Sequence, residues 1–338
     1  MDILAVESSC DDTAAAIVRD GREIINFKAS SQIDKHKIFG GVVPEVASRN
    51  HIESISALAQ TVMQESGKKF SDLDALAVTY APGLVGSLLV GVNFVKGLAI
   101  STGLPIIPVH HVKAHIASLY ISNLDLKPPF LCLVVSGGHS SIFEVKDYTT
   151  VKTVGKTRDD AAGEAFDKVG RRLGFDYPGG IHLDEVAESG NDEAFELPVP
   201  LKGEKTYDFS FSGLKTSMIN TINHLNQKGE ALPTEDLSAS FRKSVVDCLV
   251  SNVMKAALDL GYKKIGVCGG VSANSLLRKN LSEECKKRNF EFFMPRKDLC
   301  GDNAAMVGSQ AYYEFLKGKR ADLSLNAYAS MPVEKENI

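Results

Sequence analysis

No two of the six cysteines, Cys10, Cys132, Cys248, Cys268, Cys285 and Cys300, form a CxxC pair. That argues against a cysteine-built zinc site and for reduced thiols in a cytoplasmic protein. No apolar run reaches the roughly 18 residues that span a bilayer, so no membrane association is expected. The chain opens directly on an apolar strand, Ile3-Leu4-Ala5-Val6, with no basic segment before it, and a cleaved signal peptide is not expected. The pattern H-E-x-x-H is also missing, because Val112 stands where a zinc peptidase has its general-base glutamate, so a peptidase is the weakest reading. A formal net charge of −4 supplies no overall field for nucleic acid. An RNA substrate therefore needs local basic patches or a helping partner.

What is present is ordinary globular material, 44% hydrophobic and 24% charged. At 338 residues the chain exceeds what one hydrophobic core usually serves, so two lobes are expected. Two stretches share one layout. The first runs Ile3–Val6, the polar turn Glu7–Thr13, Ala14–Val18, an Asp20-Gly21 turn and Ile24–Lys28. The second runs Phe130–Val135, Ser136-Gly137-Gly138-His139-Ser140, Ser141–Val145, an Asp147-Tyr148 turn and Val151–Val154. Each is strand, polar hairpin, strand, turn, strand, followed by alternating helical and strand patterns. A separation of about 130 residues points to a duplicated α/β domain rather than a short repeat. Asn123–Pro129 is polar, ends in two prolines and marks the boundary.

Two lobes that each offer a polar hairpin to a shared cleft are the layout of the actin/hsp70/hexokinase-like (ASKHA, RNase H-like) fold. Successive N–H groups in such hairpins form nests for phosphate oxygens. His111 and His115, four apart, stack on one helical face and suit a divalent metal. Asp302, after Gly301, either N-caps a helix or supplies a third ligand. Two imidazoles and a carboxylate accept iron(II), zinc or manganese. Ile265–Asn274 is an apolar strand, a diglycine and a polar turn into a helix over Ser275–Arg288, a pattern that binds nucleotides. Asn274 offers its amide to a base or ribose. Asp167 and Asp184 either accept from ribose hydroxyls or sit on solvated helix faces. Phe209 and Phe211, among Lys202, Lys205 and Lys215, read as base-stacking aromatics or as a half-buried strand.

Taken together, these motifs resemble the TsaD family (older names Gcp and YgjD), bacterial branch, over essentially the whole chain. The carriers are Glu7-Ser8-Ser9-Cys10-Asp11-Asp12-Thr13, Gly40–Arg49, Pro82-Gly83-Leu84, His111 with His115, and Val135–His139. Asp208–Thr216, Gly269–Asn274 and Asp302-Asn303 complete the set. The family forms threonylcarbamoyladenosine in tRNA, which implies a threonylcarbamoyl-AMP donor and release of AMP. The resemblance implies His111, His115 and Asp302 as ligands of one metal, usually iron. It implies Val134, Val135, Ser136, Gly137, Gly138, Asp167, Gly180, Asp184 and Asn274 as the adenylate site, and Asp11, with Asp12 beside it, near the reacting atoms. It also implies a paralogous inactive TsaB-like subunit and a small P-loop TsaE-like ATPase as partners. Lys113 and Asp12 depart from the family, which commonly has glutamate at both positions. The expected division is an N-terminal lobe over 1–122 with the histidine pair, a C-terminal lobe over 128–300 with the adenylate loops, and a helix over 301–325 bringing Asp302 back. The rivals are a small-molecule kinase of the same fold, which usually has Asp at the position of Glu7 and no use for the histidines, and a non-catalytic nucleotide-binding subunit.

Overall fold

Short apolar runs at the N-terminus build three strands, β1 (Asp2–Glu7), β2 (Asp12–Arg19) and β3 (Glu23–Ser31). Asp20 and Gly21 close the second hairpin with φ of 50° and 68°, the left-handed conformations such a turn needs. The chain continues through α1 (Ile33–Lys37), α2 (Pro44–Ser66), β4 (Ala75–Ala81), α3 (Val85–Thr102), β5 (Ile106–His110) and α4 (His111–Ser122). The pattern then restarts with β6 (Phe130–Val135), β7 (Ser140–Val145) and β8 (Val151–Lys156). Helices α5 (Ala162–Arg172), α6 (Gly179–Val186), α7 (Ser212–Gln227) and α8 (Thr234–Leu260) come next. They are followed by β9 (Lys264–Cys268), α9 (Ser275–Lys287), β10 (Glu291–Phe293) and α10 (Ala304–Leu316). This computed structural model describes residues 1–335.

The two sheets have the same topology. One runs β3-β2-β1-β4-β5 and the other β8-β7-β6-β9-β10, so each strand of the second half matches the strand five earlier. β1 pairs antiparallel with β2 and parallel with β4, and β4 pairs parallel with β5. In the second sheet β9 pairs parallel with both β6 and β10. The duplication expected from the two hairpin stretches is therefore present strand by strand.

The chain divides into two compact units that interleave in sequence. Unit 1 holds Met1–Pro129, Val145–Lys152 and the chain from Met294 onward; unit 2 holds Phe130–Glu144 and Thr153–Phe293. In unit 1 both faces of β1 are buried. Leu4 and Val6 join an apolar cluster with Ile55, Val62, Leu88 and Val92 of α2 and α3. Ile3 and Ala5 join another with Ala304, Met306 and Val307 of α10. Alternation across a strand covered by helices on both faces accounts for this all-apolar run. Gly308 lets α10 lie close to the sheet, since a Cβ there would come within 2.6 Å of Val18 Cγ2.

Two details differ from the sequence-based expectations. Helix α3 is 18 residues long with a mean hydropathy of 1.5, long and apolar enough to cross a membrane by length and composition. Ser87, Asn93 and Lys96 interrupt its apolar letters, which hides this in a search for uninterrupted runs. Its buried side, Ser87, Leu88, Gly91, Val92 and Val95, packs on unit 1. Phe209 and Phe211 are fully buried and stack on each other with centroids 5.9 Å apart, so neither offers a face to a base. Asp159 fixes the turn around them, its Oδ1 accepting from the Phe211 and Ser212 N–H groups at the start of α7. Lys215 is paired with Asp160.

Candidate metal centre and nucleotide site

The candidate metal centre lies entirely in unit 1. Helix α4 starts at His111, where the side chain of His110 accepts from the Val112 N–H at 3.2 Å and caps the first turn. One turn on, His115 brings its ring edge-on to His111, with centroids 4.6 Å apart. Asp302 Oδ1 lies 3.5 Å from His111 Nε2 and 3.2 Å from His115 Nε2. One ligand atom from each of the three residues falls within a 4.8 Å cluster. The N-cap of α10 is Asn303, whose side chain accepts from the Met306 N–H at 2.9 Å. That leaves the Asp302 carboxylate to face the imidazoles instead of capping the helix.

A residue to which sequence reasoning gave no role at the metal site lies directly behind it. Glu7, at the end of β1, is fully buried. Its Oε1 accepts from the Ser9 N–H at 2.6 Å and its Oε2 from the Thr79 hydroxyl at 2.6 Å. Oε2 also lies 3.5 Å from His111 Nδ1, and Ser9 Oγ is 3.1 Å from the same nitrogen. With Nδ1 engaged from behind, Nε2 is directed toward Asp302, the arrangement that orients metal-ligating histidines.

Carboxylate charge dominates the electrostatics of the site. Burial opposes charge on His111, but the Asp302 and Glu7 carboxylates outweigh it and raise its pKa to about 9. Burial likewise opposes charge on Glu7, yet the hydrogen bond and charge of His111 leave its carboxyl below the ordinary range. Burial pushes Asp12 up to about 7, aided by the charges of Asp302 and Asp11, and burial also raises Asp11. His115 is fully buried, and neither of its ring nitrogens makes a hydrogen bond. A buried imidazole without a hydrogen bond, facing a carboxylate and a second imidazole, is a donor set that suits a divalent metal, and these residues fit one.

The turn carrying Asp11 and Asp12 is held by His51 of α2. That imidazole contacts the Thr13 hydroxyl at 2.7 Å and the Cys10 carbonyl at 2.9 Å. Nothing in a lone histidine on an amphipathic helix signals this in the sequence. Lys113 points away from the ligand face, as its position two residues from each histidine requires. It is buried, with Nζ 4.0 Å from Glu314 Oε1 of α10.

Unit 2 gathers the other candidate residues. Val134 and Val135 end β6 inside the core, and Ser136 turns the chain out into Gly137 and Gly138, which are exposed. A Cβ on either glycine would meet nothing within 4 Å, so the backbone there is open to a ligand. The start of α5 closes on this loop, with the Gly163 N–H donating to the Ser136 carbonyl at 3.3 Å. Gly269, at φ 93° directly after β9, admits the end of β6 beside it, since a Cβ would sit 2.3 Å from the Val135 carbonyl oxygen.

Asp167 Oδ1 accepts from the Gly180 N–H at 2.9 Å, at the first turn of α6. Asp184 stands one turn further along the same helix and accepts from Asn274 Nδ2 at 2.8 Å. Both carboxylates are thus half-buried and hydrogen-bonded, rather than on solvated helix faces. Asn274 also caps α9, its Oδ1 accepting from the Leu277 N–H at 3.0 Å, so much of its amide is already engaged. Open glycines, a helix N-terminus and two carboxylates suit a phosphate and a polyol.

A five-stranded mixed sheet repeated in each unit defines the class, an α/β protein of the actin/hsp70/hexokinase-like fold. Solved structures share it: HypF from T. kodakarensis at TM-score 0.63 and 15% identity, over 96% of this chain and 49% of that one. Component A of the Acidaminococcus fermentans (R)-2-hydroxyglutaryl-CoA dehydratase matches at 0.55 and 15%, over 93% and 98%. The family model for TsaD, tRNA N6-adenosine threonylcarbamoyltransferase, matches residues 23–309. Proteins of that name are 52% identical in Clostridium botulinum strain 657, over 98% of this chain and 97% of the relative. In Clostridium perfringens strain ATCC 13124 the figure is 51%, over 96% of each. The chain belongs to the TsaD family of tRNA N6-adenosine threonylcarbamoyltransferases and is a transferase.

Proposed function

We propose that the protein transfers the threonylcarbamoyl group of threonylcarbamoyl-AMP to the exocyclic amine of the adenosine 3′ to the anticodon, in tRNAs reading codons that begin with adenine. The observation that carries this reading, beyond the family, is the convergence of His111, His115 and Asp302 on one point backed by Glu7. A small-molecule kinase of this fold has no use for such a group.

The amine nitrogen attacks the carbamoyl carbon, the bond from that carbon to the phosphate oxygen breaks, and AMP leaves. Ser136, Gly137 and Gly138 bind the adenylate phosphate through backbone N–H groups, while Val134 and Val135 anchor that loop in the core. Asp167, Gly180, Asp184 and Asn274 hold the nucleoside. Asp12 or its neighbour Asp11, both raised above the ordinary carboxyl range by burial, takes the proton from the attacking nitrogen. His111, His115 and Asp302 hold one divalent metal, which we assign as iron(II), the same donors being open to zinc or manganese; when bound it supplies Lewis acidity at a carbonyl or phosphate oxygen. In this reading the metal-binding lobe and the adenylate lobe divide the work, a TsaB-like paralogue and a TsaE-like ATPase assist, and the compartment is the cytoplasm.

The test is purified protein with labelled threonylcarbamoyl-AMP and tRNA, with and without the two partners. Label in the tRNA nucleoside with stoichiometric AMP supports the reading. Phosphoryl transfer from ATP to a small molecule without nucleoside labelling would replace it with the kinase.

A further inference from the structure

We infer that Arg242 is a positioning residue for the adenylate site, holding Asp184 so that a ligand hydroxyl is accepted through Oδ2. This rests on the assignment of Asp184 to adenylate binding. Arg242 lies in the third turn of α8 among the buried residues Ala239, Phe241, Val245 and Val246, and is itself 6% exposed. A guanidinium in such a place must be paired, and one without partners would be strongly destabilising.

Its partners converge on one end of α6. The two N–H groups of Nη1 are shared among the Asp184 carbonyl at 3.0 Å, Asp184 Oδ1 at 3.0 Å and Glu188 Oε1 at 2.6 Å. The same nitrogen reaches Ser275 Oγ at 3.1 Å, and Nη2 donates to the Ala187 carbonyl at 3.2 Å. Carbonyls at a helix end lack intrahelical partners, so Arg242 closes α6 and links it to the first residue of α9.

The outcome for Asp184 is asymmetric. Its Oδ1 accepts from Arg242, from Asn274 Nδ2 at 2.8 Å and from Ser275 Oγ at 2.9 Å. Its Oδ2 accepts from the Ser275 N–H at 2.9 Å. The Ser275 hydroxyl has a single proton, which Glu188 Oε1 at 2.8 Å also competes for, but Arg242 and Asn274 alone fill the two lone pairs of Oδ1, while Oδ2 keeps acceptor capacity on a side chain that is 18% exposed. A sugar hydroxyl donating to Asp184 therefore meets Oδ2, and Arg242, with Nη1 on Oδ1 and Nη2 on the Ala187 carbonyl, fixes where that oxygen points. Lysine offers the charge without the fork.

Calorimetric titration of AMP, 2′-deoxy-AMP and 3′-deoxy-AMP into the full-length protein tests this, with thermal unfolding of every variant. Wild type is expected to bind at least one deoxy analogue several-fold more weakly than AMP. Arg242→Met is expected to stay folded, to bind AMP at least tenfold more weakly, and to lose that discrimination; Arg242→Lys is expected to fall between. Wild-type affinity in Arg242→Met, equal weakening toward AMP and both analogues, or failure of both variants to fold would overturn the inference in favour of a purely structural role. Asp184→Ala separates the two levels. If it binds AMP like wild type, the adenylate assignment itself falls; if it weakens AMP while Arg242→Met does not, only the role of Arg242 falls.

Discussion

Glu7 shows what one buried carboxylate does when every oxygen is used. Thr79 and the Ser9 N–H fix its plane, and His111 takes its remaining capacity. Glu7→Gln keeps the shape but removes the charge behind the imidazole. Metal affinity is expected to fall by about 10–100-fold, read by competition with a chelator. Gly137 is the opposite case, a residue whose value is empty space. A Cβ there touches nothing in the protein, so Gly137→Val should leave the melting temperature unchanged while abolishing AMP binding in a calorimetric titration. Unchanged AMP affinity would place the phosphate elsewhere. Asn274→Ala, by contrast, is expected to cost stability as well as binding, because it removes the α9 cap, worth about 1 kcal/mol.

At the scale of elements, the metal ligands depend on how α4 and α10 pack. Lys113 of α4 and Glu314 of α10 are both buried, and Gln310 and Lys319 complete the group around the Glu314 carboxylate. Lys113→Glu would place a second carboxylate against Glu314 without touching a ligand. Destabilisation of about 3–5 kcal/mol is expected in denaturant titration, with partial recovery when combined with Glu314→Lys. Substitution by the family's usual glutamate is therefore not neutral in this chain. The start of β1 supplies a pH test. Arg19, first, and Lys68 hold the Asp2 carboxyl down to about 2, against burial that opposes its charge. A carboxyl lower in the folded state stabilises it above the unfolded pKa near 4, and this contribution is lost as pH falls toward 2. Wild type should exceed Asp2→Asn by about 1–2 kcal/mol at pH 6, after allowance for solvent screening, and the gap should close between pH 4 and 2.

At the scale of the molecule, a metal that binds only the folded chain adds to its stability by mass action. Saturation at 100 times the dissociation constant is worth about 2.7 kcal/mol, so chelation should lower the melting temperature, and His115→Ala should remove that shift. The sequence by itself determined the duplicated α/β architecture, because short apolar strand runs, the Asp20-Gly21 turn and the repeated polar hairpins are local patterns that survive in one dimension. It also exposed the histidine pair, since the i, i+4 spacing is a property of a single helix. Only the tertiary structure decided what those groups meet. Asp302 is 187 positions beyond His115, and which of Asp302 and Asn303 caps α10 depends on packing against α4. Glu7, His51 and Arg242 act through partners far away in sequence, and no composition or period records such pairings. The burial of Phe209 and Phe211 was likewise settled by the layer beneath them, because an alternating aromatic pair reads the same whether it faces water or a core.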